Sequence, residues 1–362
     1  MGKKLTVLFL TLAVFVGISG GYVVVGLQAY SRYQHAISCG GLAPVHICVP
    51  QLSQTPILSA FYPSYVARHT PLFTVKYSSD SPKTLVISVK ITGFSQVQTQ
   101  TVNATPTEQS VNFTPPLSSQ DVLRKLTSDE NTFLHVQVTD VQGHLFYVGD
   151  TSLVLYSRLS MEWESSTLSQ IAAWVTPNDP AIASLVARAA THLSQETPPA
   201  PDGMIGYNGG NASRQEVIDQ VDAIFDALRL DYHIHYVQED ILYGGPHDTK
   251  PALQNVKLPA EVLQQRSGMC VELTTLLASA VESIGLHAEL IIIPDHMFLG
   301  VAVTPDNSHF EYWDAVLVNK NDAGDSANIL TDQTYAQNSN QHTIIDTILI
   351  SDARNSGIGP MV

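Results

Sequence analysis

Residues 258–303 read L-P-A-E-V-L-Q-Q-R-S-G-M-C-V-E-L-T-T-L-L-A-S-A-V-E-S-I-G-L-H-A-E-L-I-I-I-P-D-H-M-F-L-G-V-A-V. Cys270 follows a Gly268-Met269 turn and opens a run in which Leu273, Leu276, Leu277, Ala280, Val281 and Ile284 recur at helical spacing. That spacing predicts a helix from Cys270, stopped by Gly285 in the position where a left-handed residue ends helices. Glu272 and Glu282 are expected on its solvated side. A strand over 288–293, a Pro294-Asp295 turn and a second strand from His296 follow. Residues 310–318, F-E-Y-W-D-A-V-L-V, read as a third strand carrying Asp314.

A cysteine at a helix N-terminus, a histidine and an acid, each on its own element, is the set that nucleophilic thiol catalysis requires. The orphan N–H groups of a first helical turn favour a thiolate, and an imidazolium would favour it further. Asp314 would hold the His296 ring in its working tautomer. The loop between the two strands sets the register, because a one-residue slip turns every side chain to the other face. A five-residue loop over 304–308 puts Phe298 opposite Asp314, with His296 and Asp314 as diagonal neighbours on one face. A three-residue loop over 304–306 would set them directly opposite, and a regular hairpin with a six-residue loop would put them on opposite faces. Each residue also has a plainer reading: Cys270 as a small buried hydrophobe, His296 as a strand-end histidine, Asp314 as a surface acid. The ordered set is what points to catalysis.

The stretches G-M-C-V-E-L and P-D-H-M-F-L-G-V, with Asp314 beyond them, resemble the transglutaminase-like superfamily over roughly the last half of the chain. The resemblance implies a papain-like α+β fold and the catalytic triad Cys270, His296 and Asp314. It also implies amide chemistry through a thioester, resolved by water in a peptidase or amidase or by an amine in a transglutaminase. By analogy with the glutamine that precedes the cysteine in papain-like folds, Gln254 is the side-chain candidate for binding the oxyanion. Many such domains carry a tryptophan soon after the histidine, whereas Met297-Phe298 stands here. This departure leaves the triad intact and puts the acceptor pocket in question. A catalytically idle domain of the same fold, used as a cell-surface binding or scaffold module, is the alternative.

Elsewhere the pattern changes. Residues 5–27 carry no charge, and 23 helical residues at about 1.5 Å each span a hydrocarbon core of ~30 Å. Lys3 and Lys4 precede them, which keeps the N-terminus in the cytoplasm and places the remainder outside. The reading is a single-pass signal anchor (residues 1–27) rather than a cleaved signal peptide, whose apolar region is shorter, at about 7–15 residues. Residues 28–56 read as an irregular stalk, with Cys39 and Cys48 expected to pair in an oxidising compartment. Free thiols or a metal site are the other options, although two cysteines and His46 make a poor ligand set.

Residues 57–158 show period-two alternation at Phe73, Val75 and Tyr77, at Leu85 to Ile91 and at Leu134 to Val138. Turn-rich breaks separate these runs. This predicts an antiparallel, immunoglobulin-like sandwich serving as a spacer or binding module.

Residues 159–362 begin with helices and end in strands, an α+β order. Thr176-Pro-Asn-Asp-Pro180 starts one helix with Asn178 or Asp179 as its cap, Ser213-Arg-Gln-Glu216 is a capping box for another, and 232–236 reads as a strand.

A net charge of −15 leaves no electrostatic footprint for nucleic acid. The histidines 233, 235, 247, 287 and 342 lack the convergent spacing of a metal site, so neither metal nor cofactor is expected. The expected partner is a peptide or protein substrate.

Overall fold

The computed structural model describes residues 37–50, 57–193, 203–239, 241, 252–320 and 323–361. The anchor expected over residues 5–27 lies outside the described residues. Among the described residues no helix is long and apolar enough to cross a membrane. Contacts divide the chain into two compact units. One holds the described part of Met1–Ile57 together with Thr70–Ser119 and Asp129–Leu155. The other holds Leu58–His69, Gln120–Ser128 and Tyr156–Val362.

The first unit is built of antiparallel strands. Val45–Pro50 pairs on one side with Ile37–Gly40 and on the other with Phe73–Ser79, which also pairs with Gln109–Phe113. In a second sheet, Lys83–Ile91 lies between Gln98–Ala104 and Glu130–Asp140, and the latter pairs with Leu145–Tyr156. The alternation seen in the sequence becomes one buried face per strand: Phe73, Val75 and Tyr77 in the first sheet, Leu85, Ile87, Val89, Leu134, Val136 and Val138 in the second.

The irregular stalk expected over 28–56 is corrected in its described part. Val45, Ile47 and Val49 are buried, so V-H-I-C-V is itself a period-two strand inside the sheet. Gly40 ends the first strand of its hairpin, and Gly41 and Pro44 lie in the turn that follows. Cys39 and Cys48 face each other across that hairpin and are disulfide-bonded.

A second correction concerns 57–158 as one block. Leu58, Ala60 and Phe61 join the core of the second unit with Trp163 and Trp174. Leu58–His69 and Gln120–Ser128 therefore belong to that unit.

The second unit is α+β. Its sheet is antiparallel in the order Phe310–Trp313, His296–Ala302, Ala288–Ile293, Asp346–Leu349. Helix Pro180–Ala189 starts where Asp179 accepts a hydrogen bond from the Ala181 N–H, and Arg214–Asp226 starts with the Ser213/Glu216 capping box. The central helix, Cys270–Ser283, has every residue from Cys270 to Val281 buried. It is a core helix rather than one with a solvated side, because neighbours pack around it. Leu276 and Leu277 are fully buried, each stabilising the fold by about 1.5–3 kcal/mol. Its polar residues stay satisfied: Ser279 donates to the Thr275 carbonyl and accepts from the Thr176 N–H, and Thr274 donates to the Met297 carbonyl. The helix ends in a Schellman motif, with Gly285 at φ +81°, its N–H on the Glu282 carbonyl and the Leu286 N–H on the Val281 carbonyl.

Two sequence expectations shorten. Residues 232–236 contribute only His235–Tyr236 as strand, since His233 takes a positive φ. The third strand stops at Trp313 and a 3-10 helix begins at Ala315. Asp314 stands at the strand's end, where its Oδ1 accepts the Val316 N–H and turns the chain.

Candidate active site

The thiol is placed by the turn before it. Ser267–Gly268 pairs in parallel with His235–Tyr236, and a Cβ on Gly268 would come within 2.9 Å of the Leu273 side chain. Glycine is thus the residue that lets the chain pass close under the first helical turn. Met269 is the extended N-cap residue and Cys270 the first residue of the helix. The first-turn N–H groups, including those of Cys270 and Val271, have no i−4 acceptor within the helix.

Glu272 corrects its sequence reading. Instead of meeting solvent it is buried beside the thiol. Its carboxylate accepts from the Met269 N–H at 3.0 Å and the Lys257 N–H at 2.7 Å, and pairs with Lys257 Nζ at 3.2 Å. It fastens the helix start to the preceding segment. Its position three residues past the N-cap was the available signal, obscured because methionine rather than serine occupies the cap. Glu282, half-buried, accepts the Ala288 N–H, and burial raises its pKa.

His296 opens its strand and Asp314 closes the next one. The pairing of Leu299 with Trp313, and the Val303 N–H on the His309 carbonyl, give the register of the five-residue loop. His296 Nε2 lies 2.8 Å from Asp314 Oδ2, with the two side chains 23% and 16% exposed. The Cys270 side chain acts on the same ring and, like Asp314, favours its charged form. Burial disfavours the charged ring, but the bonds and charges of Asp314 and Cys270 outweigh it and push the pKa up to about 10. Asp314 is held in turn by Thr331, whose Oγ1 accepts the Asp314 N–H at 2.8 Å and donates to the Ala327 carbonyl.

Gln254 sits on the strand Ala252–Asn255, buried, with Nε2 3.4 Å from Met269 Sδ, one residue from the thiol. Trp163 Nε1 donates to its Oε1 at 2.8 Å. The indole thereby fixes the amide with its NH2 end toward Met269. Nothing in the sequence linked Trp163 to Gln254, since the two strands that pair them lie far apart in the chain. Cys270, His296 and Asp314 are thus brought together, Gln254 stands next to them, and His235 is exposed. Among the described residues no cluster of His, Cys, Asp and Glu could hold a metal ion.

A cysteine on the first turn of a core helix and a histidine–aspartate pair on an antiparallel sheet are consistent with a cysteine-protease-like α+β fold. Residues 181–346 match the family model of the transglutaminase-like superfamily, and the chain carries a transglutaminase-like domain there. The match takes in Gln254, Cys270, His296 and Asp314. No curated protein matches the chain.

Proposed function

We propose that the second unit is a thiol enzyme acting on amide bonds of peptide or protein substrates, held outside the cytoplasm by an N-terminal single-pass anchor. The observation that carries the reading is the His296–Asp314 pair at 2.8 Å, on a ring whose charged form both Asp314 and Cys270 favour. With Nε2 engaged by Asp314, Nδ1 is the nitrogen left for the sulfur. The Cys270 sulfur attacks the amide carbon as a thiolate paired with the His296 imidazolium, which holds its proton. First-turn N–H groups and the Gln254 amide stabilise the oxyanion. The imidazolium then protonates the leaving amine, giving a Cys270 thioester that water hydrolyses or a second amine aminolyses. The uncharged stretch 5–27 behind Lys3 and Lys4 supports the anchor, and the Cys39–Cys48 disulfide supports an oxidising compartment. The first unit, read as an immunoglobulin-like sandwich, serves as spacer or binding module.

One observation favours the scaffold alternative, namely that Cys270 is only 1% exposed. Iodoacetamide labelling of Cys270 in the full chain at pH 7 separates the two. An enzyme requires His296→Ala to slow labelling at least tenfold, even if labelling needs a prior opening of the site. Equal rates in the two proteins would leave an inert core cysteine and a scaffold.

A further inference from the structure

Buried as it is, the thiol has an internal neighbour. The backbone carbonyl of Glu239 accepts from Cys270 Sγ at 3.9 Å. The carboxylate of the same residue accepts from Gln254 Nε2 at 3.3 Å. One residue therefore engages both the sulfur and the amide assigned to the oxyanion. Glu239 is held there by the chain before it: Tyr236 pairs with Gly268, and the Val237 N–H donates to the Gly268 carbonyl, two residues from the thiol. An amide undergoing attack must bring its carbon to about 3–3.5 Å from the sulfur. With Glu239 in place, the carbonyl at the sulfur is the protein's own.

We propose that Glu239 is an autoinhibitory occupant of the acyl site, standing where the substrate carbonyl and its oxyanion must come. The proposal rests on the thiol reading above and adds its regulation. Glu239 itself is a poor substrate, because its carbonyl lies on the far side of a contact longer than the attack distance and its carboxylate already fills the amide donor. Productive binding has to displace both contacts. A substrate that offers its own acceptor to Gln254 competes directly with the Glu239 carboxylate, so the energy of that bond is spent on opening the site.

The test compares the full chain with its Glu239→Ala, Glu239→Gln and His296→Ala variants, all by the rate of iodoacetamide labelling of Cys270 at pH 7. Glu239→Ala removes the bond to Gln254 and is expected to speed labelling at least tenfold. Glu239→Gln keeps an acceptor oxygen at the same place and is expected to stay within about threefold of wild type. Hydrogen exchange across Cys270–Ser283 distinguishes uncapping from unfolding, and it should be unchanged in Glu239→Ala. No acceleration in Glu239→Ala, or acceleration matched by loosened helix amides, overturns the proposal. The His296→Ala arm decides the thiol reading separately: slowed labelling there with no effect of Glu239→Ala would sink the autoinhibition and leave the enzyme standing.

Discussion

His296 and Asp314 stand 2.8 Å apart because the loop between their strands has five residues and not six. The hydrogen bond crosses the sheet diagonally, from the first residue of one strand to the residue just past the other. The position at the strand end lets Asp314 use one oxygen on His296 and the other on the Val316 N–H.

The imidazolium of His296 is the protonated form that this site favours, with a pKa near 10 against an ordinary 6.5. A raised histidine pKa stabilises the fold in full below about 6.5, and that stability is lost as pH rises through about 10. Asp314→Asn should bring the ring back toward its ordinary value and flatten the stability profile over that window. Chemical denaturation at pH 6, 8 and 10, with NMR titration of the ring, measures both. An Asp314→Asn protein with the wild-type profile would show that Asp314 does not set the charge.

Glu272 anchors the start of the cysteine helix through two backbone N–H groups and Lys257. Glu272→Ala leaves those donors buried without a partner, at a cost of about 2–4 kcal/mol. Urea unfolding should show that loss, and amide exchange at Met269 should rise with it. A change under about 0.5 kcal/mol, the scale of an ordinary surface substitution, would mean that water replaces the carboxylate.

Glu289 is buried on the sheet, and desolvation pushes its pKa up to about 7 from 4.5. Between those values the folded protein holds a proton that the unfolded chain has lost, so this group's contribution to stability falls as pH rises. Above about pH 7 the penalty is complete, on the order of 3 kcal/mol for a shift of this size. Glu289→Gln should therefore raise the melting temperature at pH 8 and leave it nearly unchanged at pH 4. Equal effects at the two pH values would point to packing in place of charge.

The Cys39–Cys48 disulfide closes a short hairpin whose inner strand carries Val45, Ile47 and Val49. Reduction should cost the first unit roughly 3 kcal/mol, the entropy of closing a loop of this size. Mass spectrometry after alkylation of the unreduced, denatured protein should find a single modified cysteine, Cys270. Modification of Cys39 or Cys48 before reduction would argue against the bridge.

Local chemistry made much of the second unit legible in the sequence. Gly285, Asp179 and Ser213 mark helix ends because each satisfies terminal backbone groups by its own conformation or side chain, with no help from afar. The alternation of Phe73, Val75 and Tyr77 announces a strand for the same reason, since a pleated chain shows its faces every second residue. The loop length narrowed the register of His296 and Asp314 to a few options, and only the paired strands chose among them. What sequence could not reach depends on neighbours distant in the chain. Glu272 looked solvated because a buried carboxylate is costly, and Lys257 with two backbone N–H groups supplies the compensation. Val45–Pro50 looked like stalk because its pairing partners, Ile37–Gly40 and Phe73–Ser79, are what make it a strand. Trp163, Gln254 and Glu239 carry no shared pattern at all. Their convergence beside Cys270 is a product of packing, since hydrogen bonds between side chains are fixed by distance in space and sequence encodes only distance along the chain.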